Sequence, residues 1–422
     1  MLTPTKVDQA GLTALIARLG KDCLPNQFVR EFARNSIEAA LRALQTKNPE
    51  ENFTPTVIVE PAWHHFDETG CHKISFTDNG DGMTAEQMIH HLNNLSSSGH
   101  SNEFENYGVG AKIAAFTRNH EGILYESWKD GIGHCMLIGY DSRDRSYGII
   151  RQNIQDEWLE APQLPEDYPH KPDIIDEHGT RVTLYGSSPE EDTMMPPNGT
   201  SGGRDEWLRL YMNSRFFKLP KNLSLKVRVR YHTNRHDDKK HNANYPISGQ
   251  SSTLDRYAES SGTVKLRDVK AHWWILKSDR ESHGRLKLNG HTGVIHEDEI
   301  FEVGDGRSNR AVGFGISLGK ENVVIYIEAS RGYRQNVART GLTDADGNVL
   351  PWERWEDEFR GQLPNEMKDY VAKQFNDLSN KSHGDSIEKR IREMQKLFKI
   401  SRYRVSATGA NLADPDSITT ST

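Results

Sequence analysis

The chain has 422 residues, 35% of them hydrophobic and 27% charged, with a formal net charge of -7. That length exceeds one ordinary core and predicts two or three domains. No apolar run approaches the roughly 18 residues of a membrane span, and the acidic balance excludes a protein that coats nucleic acid over its whole surface.

Three separated cysteines, Cys23, Cys71 and Cys135, argue against a disulfide scaffold or a zinc ribbon. The N-terminus has no basic-then-apolar leader, so a cytoplasmic protein is expected. Residues 8–45 read as helix, because Phe28, Phe32, Ile37, Ala40, Leu41 and Leu44 recur at spacings near three and four. TPTVIVEPAWHH alternates and predicts a strand, and CHKISFTDNGDGM predicts a second strand running into a glycine turn. A polar helix (AEQMIHHLNNL), a Ser/Gly/Asn-rich loop and a helix from about Val109 to Thr117 come after it. Antiparallel strands are next, then an acidic, proline-rich excursion over 156–177 and the strand HGTRVTLYG. A composition break over 187–204 closes a first domain of 1–186. Residues 205–350 read as a second α/β domain with strands NLSLKVRVRY, AHWWILK, GHTGVIH, AVGFGISL and ENVVIYIEA. Residues 351–405 read as a charged helical segment and 406–422 as a disordered tail.

Four short patterns carry chemistry. Glu31 and Asn35 are four apart on a helix and so share a face; a carboxylate there can deprotonate a water and an amide oxygen can complete a magnesium shell. In FTDNGDGM, Asp78 stands at a strand end where it can accept a hydrogen bond from an adenine amino group. Gly80 and Gly82 let the backbone turn and approach a ring. In YGVGAK, Gly108, Val109 and Gly110 open a helix whose N-terminal amides suit phosphate, and Lys112 adds a positive charge. Thr180, in HGTRVTL, offers a hydroxyl toward the same aspartate. Taken singly, each also reads as an ordinary helix face, hairpin turn or cap. The loop matches neither G-x-x-x-x-G-K-[ST] nor G-x-G-x-x-G.

In order and context together, EFARNSIEA, FTDNGDGM, YGVGAK and HGTRVTL resemble the boxes of the GHKL ATPase superfamily: gyrase, heat-shock-90 chaperones, histidine kinases and MutL. They are closest to MORC-like and heat-shock-90-like members. The resemblance spans roughly residues 10–186 and implies an α+β chain. Its parts would be a Bergerat α/β sandwich, a transducer-like α/β domain and a C-terminal helical segment. It further implies ATP and Mg2+ as ligands and ATP hydrolysis as the activity. Glu31 would be the general base, Asn35 the magnesium ligand and Asp78 the adenine reader. Gly80, Gly82 and Met83 would line the base, Gly108, Val109, Gly110 and Lys112 the phosphates, and Thr180 would support Asp78. One departure is Glu38, where many relatives carry Asp.

In relatives a following domain sends a basic side chain to the γ-phosphate. ASRGYRQNVARTGL makes Arg339 the first candidate here and Arg334 the second. The resemblance also implies a homodimer when ATP is bound, an ATP-gated clamp or switch. DNA is a possible client and a protein carrying effector activity a possible partner. A chaperone-like remodelling ATPase and a non-catalytic nucleotide sensor are the alternatives. Two basic stretches, KVRVRYHTNRHDDKK and IEKRIREMQKLFKISRYR, are the candidates for contact with phosphates of nucleic acid.

Overall fold

A computed structural model describes residues 9–47, 52–93, 109–200, 202–232, 244–278, 288–329, 332–336 and 341–381. The single helix expected over 8–45 is two, α1 (Gln9–Lys21) and α2 (Gln27–Thr46). Pro25 accounts for the break, since it lacks an N–H and disfavours helical backbone at Leu24. Along α2, Phe28, Phe32, Ile37, Ala40 and Ala43 are buried at spacings of three to five, which is the stripe that seats the helix on a sheet.

β1 (Thr56–Pro61) gives way to a short helix, α3 (Trp63–Thr69), where the sequence suggested continuing strand. Gly70 ends that helix at φ +73° and returns its N–H to Phe66 O at 2.7 Å, a left-handed cap that glycine permits. β2 (Ile74–Asp78), α4 (Ala85–Asn93), α5 (Val109–Phe116), β3 (Ile123–Lys129), β4 (Ile132–Asp141) and β5 (Ser146–Ile150) succeed it as anticipated. At the entry to the acidic excursion, β6 (Gln152–Ile154) and β7 (Glu157–Leu159) form a small hairpin, and β8 (Gly179–Leu184) then returns to the main sheet.

The first sheet extends beyond the boundary read from composition. After α6 (Trp207–Arg215), β9 (Ser224–Arg228) pairs parallel with β1, and β10 (Asn244–Pro246) pairs with β9. The order is β10-β9-β1-β2-β8-β3-β4-β5, antiparallel at every neighbour except β1/β9. Leu225 and Val227 complete the core around Val57 and Val59, so NLSLKVRVRY belongs with the first layer and not with the second region. Its basic character is partly consumed there: Arg228 is buried and lies over the Trp63 ring at 5.3 Å.

The second sheet comes after α7 (Gly249–Tyr257) and contains β11 (Ala258–Lys265), β12 (Lys270–Leu276), β13 (His291–His296), β14 (Glu299–Asp305) and β15 (Val323–Glu328). Its order is β11-β12-β15-β13-β14, with β13 and β15 parallel. AVGFGISL does not form the expected strand. Gly315 sits at φ +95°, and a Cβ on Gly313 would come within 2.2 Å of the Glu356 carboxylate. The segment instead turns and drives Phe314 edge-on into Trp352 and Phe359. A hairpin of β16 (Tyr333–Gln335) and β17 (Leu342–Asp344) is next. Pro364 divides the last helical region into α8 (Trp352–Gly361) and α9 (Asn365–Lys381). The basic stretch beyond 381 and the tail over 406–422 lie outside the described residues. With 32% helix, 30% strand and two mixed sheets, the chain is a mixed α/β protein compatible with the α+β class.

Lys73, fully buried just before β2, ties the start of that strand to the segment that leaves its neighbour β8. Its ammonium donates to the Tyr185, Ser188 and Glu191 carbonyls at 2.7, 3.2 and 2.7 Å. Lys73→Met keeps the stem but strands three carbonyls, so thermal denaturation should show a loss of about 2 kcal/mol.

Candidate functional site

The polar chemistry of the first layer gathers at the end of β2. Strand register pairs Asp78 with Thr180 and Thr180 with Ser127. Directly paired residues of antiparallel strands project to one face, so Asp78, Thr180 and Ser127 form a polar row across three strands. Phe76 shares that face and meets Phe32 of α2 with ring centroids 5.3 Å apart. The row therefore faces α2.

Asp78 is only 2% exposed and takes part in no ion pair among the described residues. It accepts the Gly80 N–H at 3.0 Å and a hydrogen bond from Ser36 of α2. Burial pushes its carboxyl up to about 7, against the opposing pull of those two donors. Thr180 lies within 2.8 Å of Ser127 Oγ, which accepts the Met83 N–H at 2.8 Å and reaches Gly179 O at 3.2 Å. Either hydroxyl can donate in the Ser127–Thr180 bond, and where Ser127 donates to Gly179 O instead, Thr180 is the donor to Ser127.

Three glycines make this approach possible. A Cβ on Gly80 would stand 2.7 Å from Ala39 of α2, and one on Gly82, at φ +58°, only 1.8 Å from Trp128 O. On the opposite strand, a Cβ on Gly179 would lie 2.4 Å from Asp78 O. The turn after Asp78 is thus threaded between α2 and β3 with no room for a side chain at Gly80 or Gly82. Outside it, Arg42 of α2 grips Asp81 through two bonds of 2.9 and 3.1 Å.

Glu31, Asn35, Ala39 and Arg42 succeed one another along one side of α2. From Glu31 to Ala39 is about 12 Å along the axis at 1.5 Å per residue, so the helix carries a carboxylate and an amide at one end of the site and abuts the Asp78 turn at the other. Asn35 is half-buried. Glu31 is buried, and its Oε1 accepts from Gln27 Nε2 at 3.0 Å and from Arg30 Nη1 at 2.8 Å. Arg30 in turn holds Glu299 of β14 bidentately at 2.7 and 2.9 Å. Arg30, Glu299 and Ser127 carried no signal in the sequence. Arg30 is one more charge beside a motif, Ser127 is a lone hydroxyl within a strand, and Glu299 is 269 residues away in an unanticipated strand.

Of the expected phosphate residues, Val109 and Gly110 begin α5, whereas Gly108 lies outside the described residues. Lys112 does not stand at the surface. It is 2% exposed and donates to His91 O, in the last turn of α4, at 3.1 Å, and burial lowers its ammonium to about 8. Arg339 lies outside the described residues. Arg334 is an exposed residue of β16 opposite Thr343.

A carboxyl raised by burial burdens the fold once it ionises. Its folded value lies above the unfolded one, so its stability cost begins above pH 4 and is complete above about pH 7. Asp78→Asn should therefore raise the melting temperature, and more at pH 8 than at pH 5. No gain at pH 8 would remove the uncompensated charge from this account. No protein-family model matches the chain and no curated protein is significantly similar to it, which leaves the chemistry of these residues as the ground for a function.

Proposed function

We propose that the chain binds ATP with Mg2+ between α2 and the β2–β8–β3 row, hydrolyses it, and acts as an ATP-gated switch. The observation that carries this reading is Asp78, a buried carboxylate without an ionic partner among the described residues, kept at a cost to the fold. Such a group is retained where a ligand uses it. An adenine amino group is a suitable user, because it donates to the carboxylate while Thr180 stands in register beside it. The glycine-lined turn gives a flat ring backbone to lie against. Four patterns arranged in the order of the GHKL boxes support the same reading.

Bound ATP with Mg2+ supplies the phosphorus to be attacked and a hard cation for the Asn35 oxygen. The chain's own part is to position and to move one proton. Asp78 accepts the base N–H, the Gly82 and Met83 backbone borders the ring, and Arg42 with Asp81 pins the turn to α2. Glu31 takes the proton of the attacking water. To do so it has to present an oxygen that is not committed to Gln27 and Arg30. Pairing of two ATP-bound protomers and action on DNA are the most economical client reading of the MORC-like motifs. A chaperone-like remodelling activity, or a sensor that binds without turnover, would use the same pocket.

Phosphate release by the wild type and by Glu31→Ala, with and without duplex DNA, tests the activity. The expected outcome is a loss of about 100-fold or more in kcat, in the range of a general base, with ATP affinity kept. Stimulation by DNA that fades steeply with salt supports the clamp. ATP binding without turnover in either protein would make the chain a sensor. Affinity for ATP should also weaken as pH falls below about 7, because protonation removes the Asp78 charge and turns one of its acceptor oxygens into a donor. A flat profile from pH 8 to 5.5 contradicts the role given to Asp78.

A further inference from the structure

The ion network beside Glu31 reaches beyond the site. Arg30 sits between two carboxylates, 2.8 Å from Glu31 and 2.7 and 2.9 Å from Glu299. Glu299 is fully buried and is shared with Arg215 of α6 at 3.2 Å and Arg34 of α2 at 3.7 Å. Arg215 also donates to Ile300 O at 2.9 Å and lies over the Phe301 ring at 4.0 Å. Arg34 is held in addition by Glu38 at 2.5 Å. Burial works to raise the Glu299 carboxyl, yet the Arg30 and Arg215 charges bring it down to about 2. It is therefore an anion throughout the working range.

A second observation points the same way. The β13–β14 connection is a two-residue turn, Glu297–Asp298, with φ of +50° and +60°. Glycine, asparagine and aspartate are the residues that accept such backbone readily, and a Glu there is strained unless its surroundings enforce it. They do: Asp298 O accepts the Phe217 N–H at 2.7 Å, and Phe216 bridges to Glu299 itself. The tip of the second sheet is thus clamped in a costly conformation that presents Glu299 to α2.

We infer that Glu299 is a positioning residue for Glu31, acting through Arg30, so that turnover at the N-terminal site depends on how β14 is seated against α2. The inference rests on the ATPase reading and adds its regulation. Arg30 reaches Glu31 through Nη1 while its Nε and Nη2 hold Glu299, so the place of Glu299 sets where the guanidinium meets Glu31. An arginine drawn further onto Glu299 loosens its hold on Glu31 Oε1, which Gln27 also contacts. Seating of the second sheet then divides Arg30 between the two carboxylates.

Two substitutions in the same network should act in opposite directions. Glu299→Gln keeps shape but removes the competing anion, so Arg30 moves onto Glu31. We expect kcat to fall about tenfold or more while the ATP dissociation constant stays within twofold. Arg215→Met removes a rival for Glu299, which then holds Arg30 more firmly, so kcat should stay level or rise. Both variants open a buried charge network and both should melt earlier. A purely structural role predicts loss of kcat in both, in step with melting, and that result overturns the inference. So does an unchanged kcat in folded Glu299→Gln. Should Glu299→Gln not fold, Glu299→Asp retains the charge with a shorter reach and is expected to lower kcat severalfold at constant affinity. Wild type without turnover would remove the reading beneath, and that is seen before any variant is made.

Discussion

α2 lies against the end of β2 more closely than any side chain would allow, and much of the N-terminal half depends on that approach. Gly80 has Ala39 where its Cβ would be, Gly82 has Trp128 O, and Gly179 has Asp78 O. With the backbone so tightly threaded, Asp78 stays buried with the Gly80 N–H and Ser36 as donors, while the nearby Arg42 bonds Asp81 instead. The same contact lines up Glu31, Asn35 and Arg42 on one side of the helix above the polar row of Asp78, Thr180 and Ser127. Close packing at one point thus produces both the tight turn beside Asp78 and the least comfortable charge of this layer.

A second constraint joins the two sheets. The Arg30–Glu299 pair is buried on both sides, and breaking such a pair from one side commonly costs about 3–5 kcal/mol. Packing apolar residues there would have joined the layers at less risk. A charged bridge, in contrast, can be repartitioned: Arg30 has two carboxylates within reach, and one of them is the proposed base. Such an arrangement suits a protein whose N-terminal site must sense the position of its second sheet.

The parts legible in the sequence were those set by local periodicity and by glycine. The stripe on α2, the strand before FTDNGDGM and the helix at Val109 all come from spacing alone. Pro25 was visible, but the apolar period ran through it and masked the break. β9 was recognised as a strand, yet its partner was not, because pairing with β1 is non-local and composition changes at 187–204 before the first sheet is complete. AVGFGISL alternates like a strand, but its glycines turn instead to place Phe314 among Trp352 and Phe359. In the site, Glu31, Asn35, Asp78, the glycines and Thr180 could be named from motifs. Ser127 and Glu299 could not, since each reaches the site only through strand register or a contact distant in sequence.

A buried aspartate with no ionic partner among the described residues, beside a row of hydroxyls and under a helix bearing a carboxylate and an amide, suits a purine at one end and phosphates at the other. Its most direct test is a crystal structure with a non-hydrolysable ATP analogue and Mg2+. The account predicts the adenine amino nitrogen within hydrogen-bonding distance of Asp78, the ring over the Gly80–Met83 turn, and the phosphates toward Asn35 and Glu31. A nucleotide bound elsewhere, or none at saturating concentration, would contradict it.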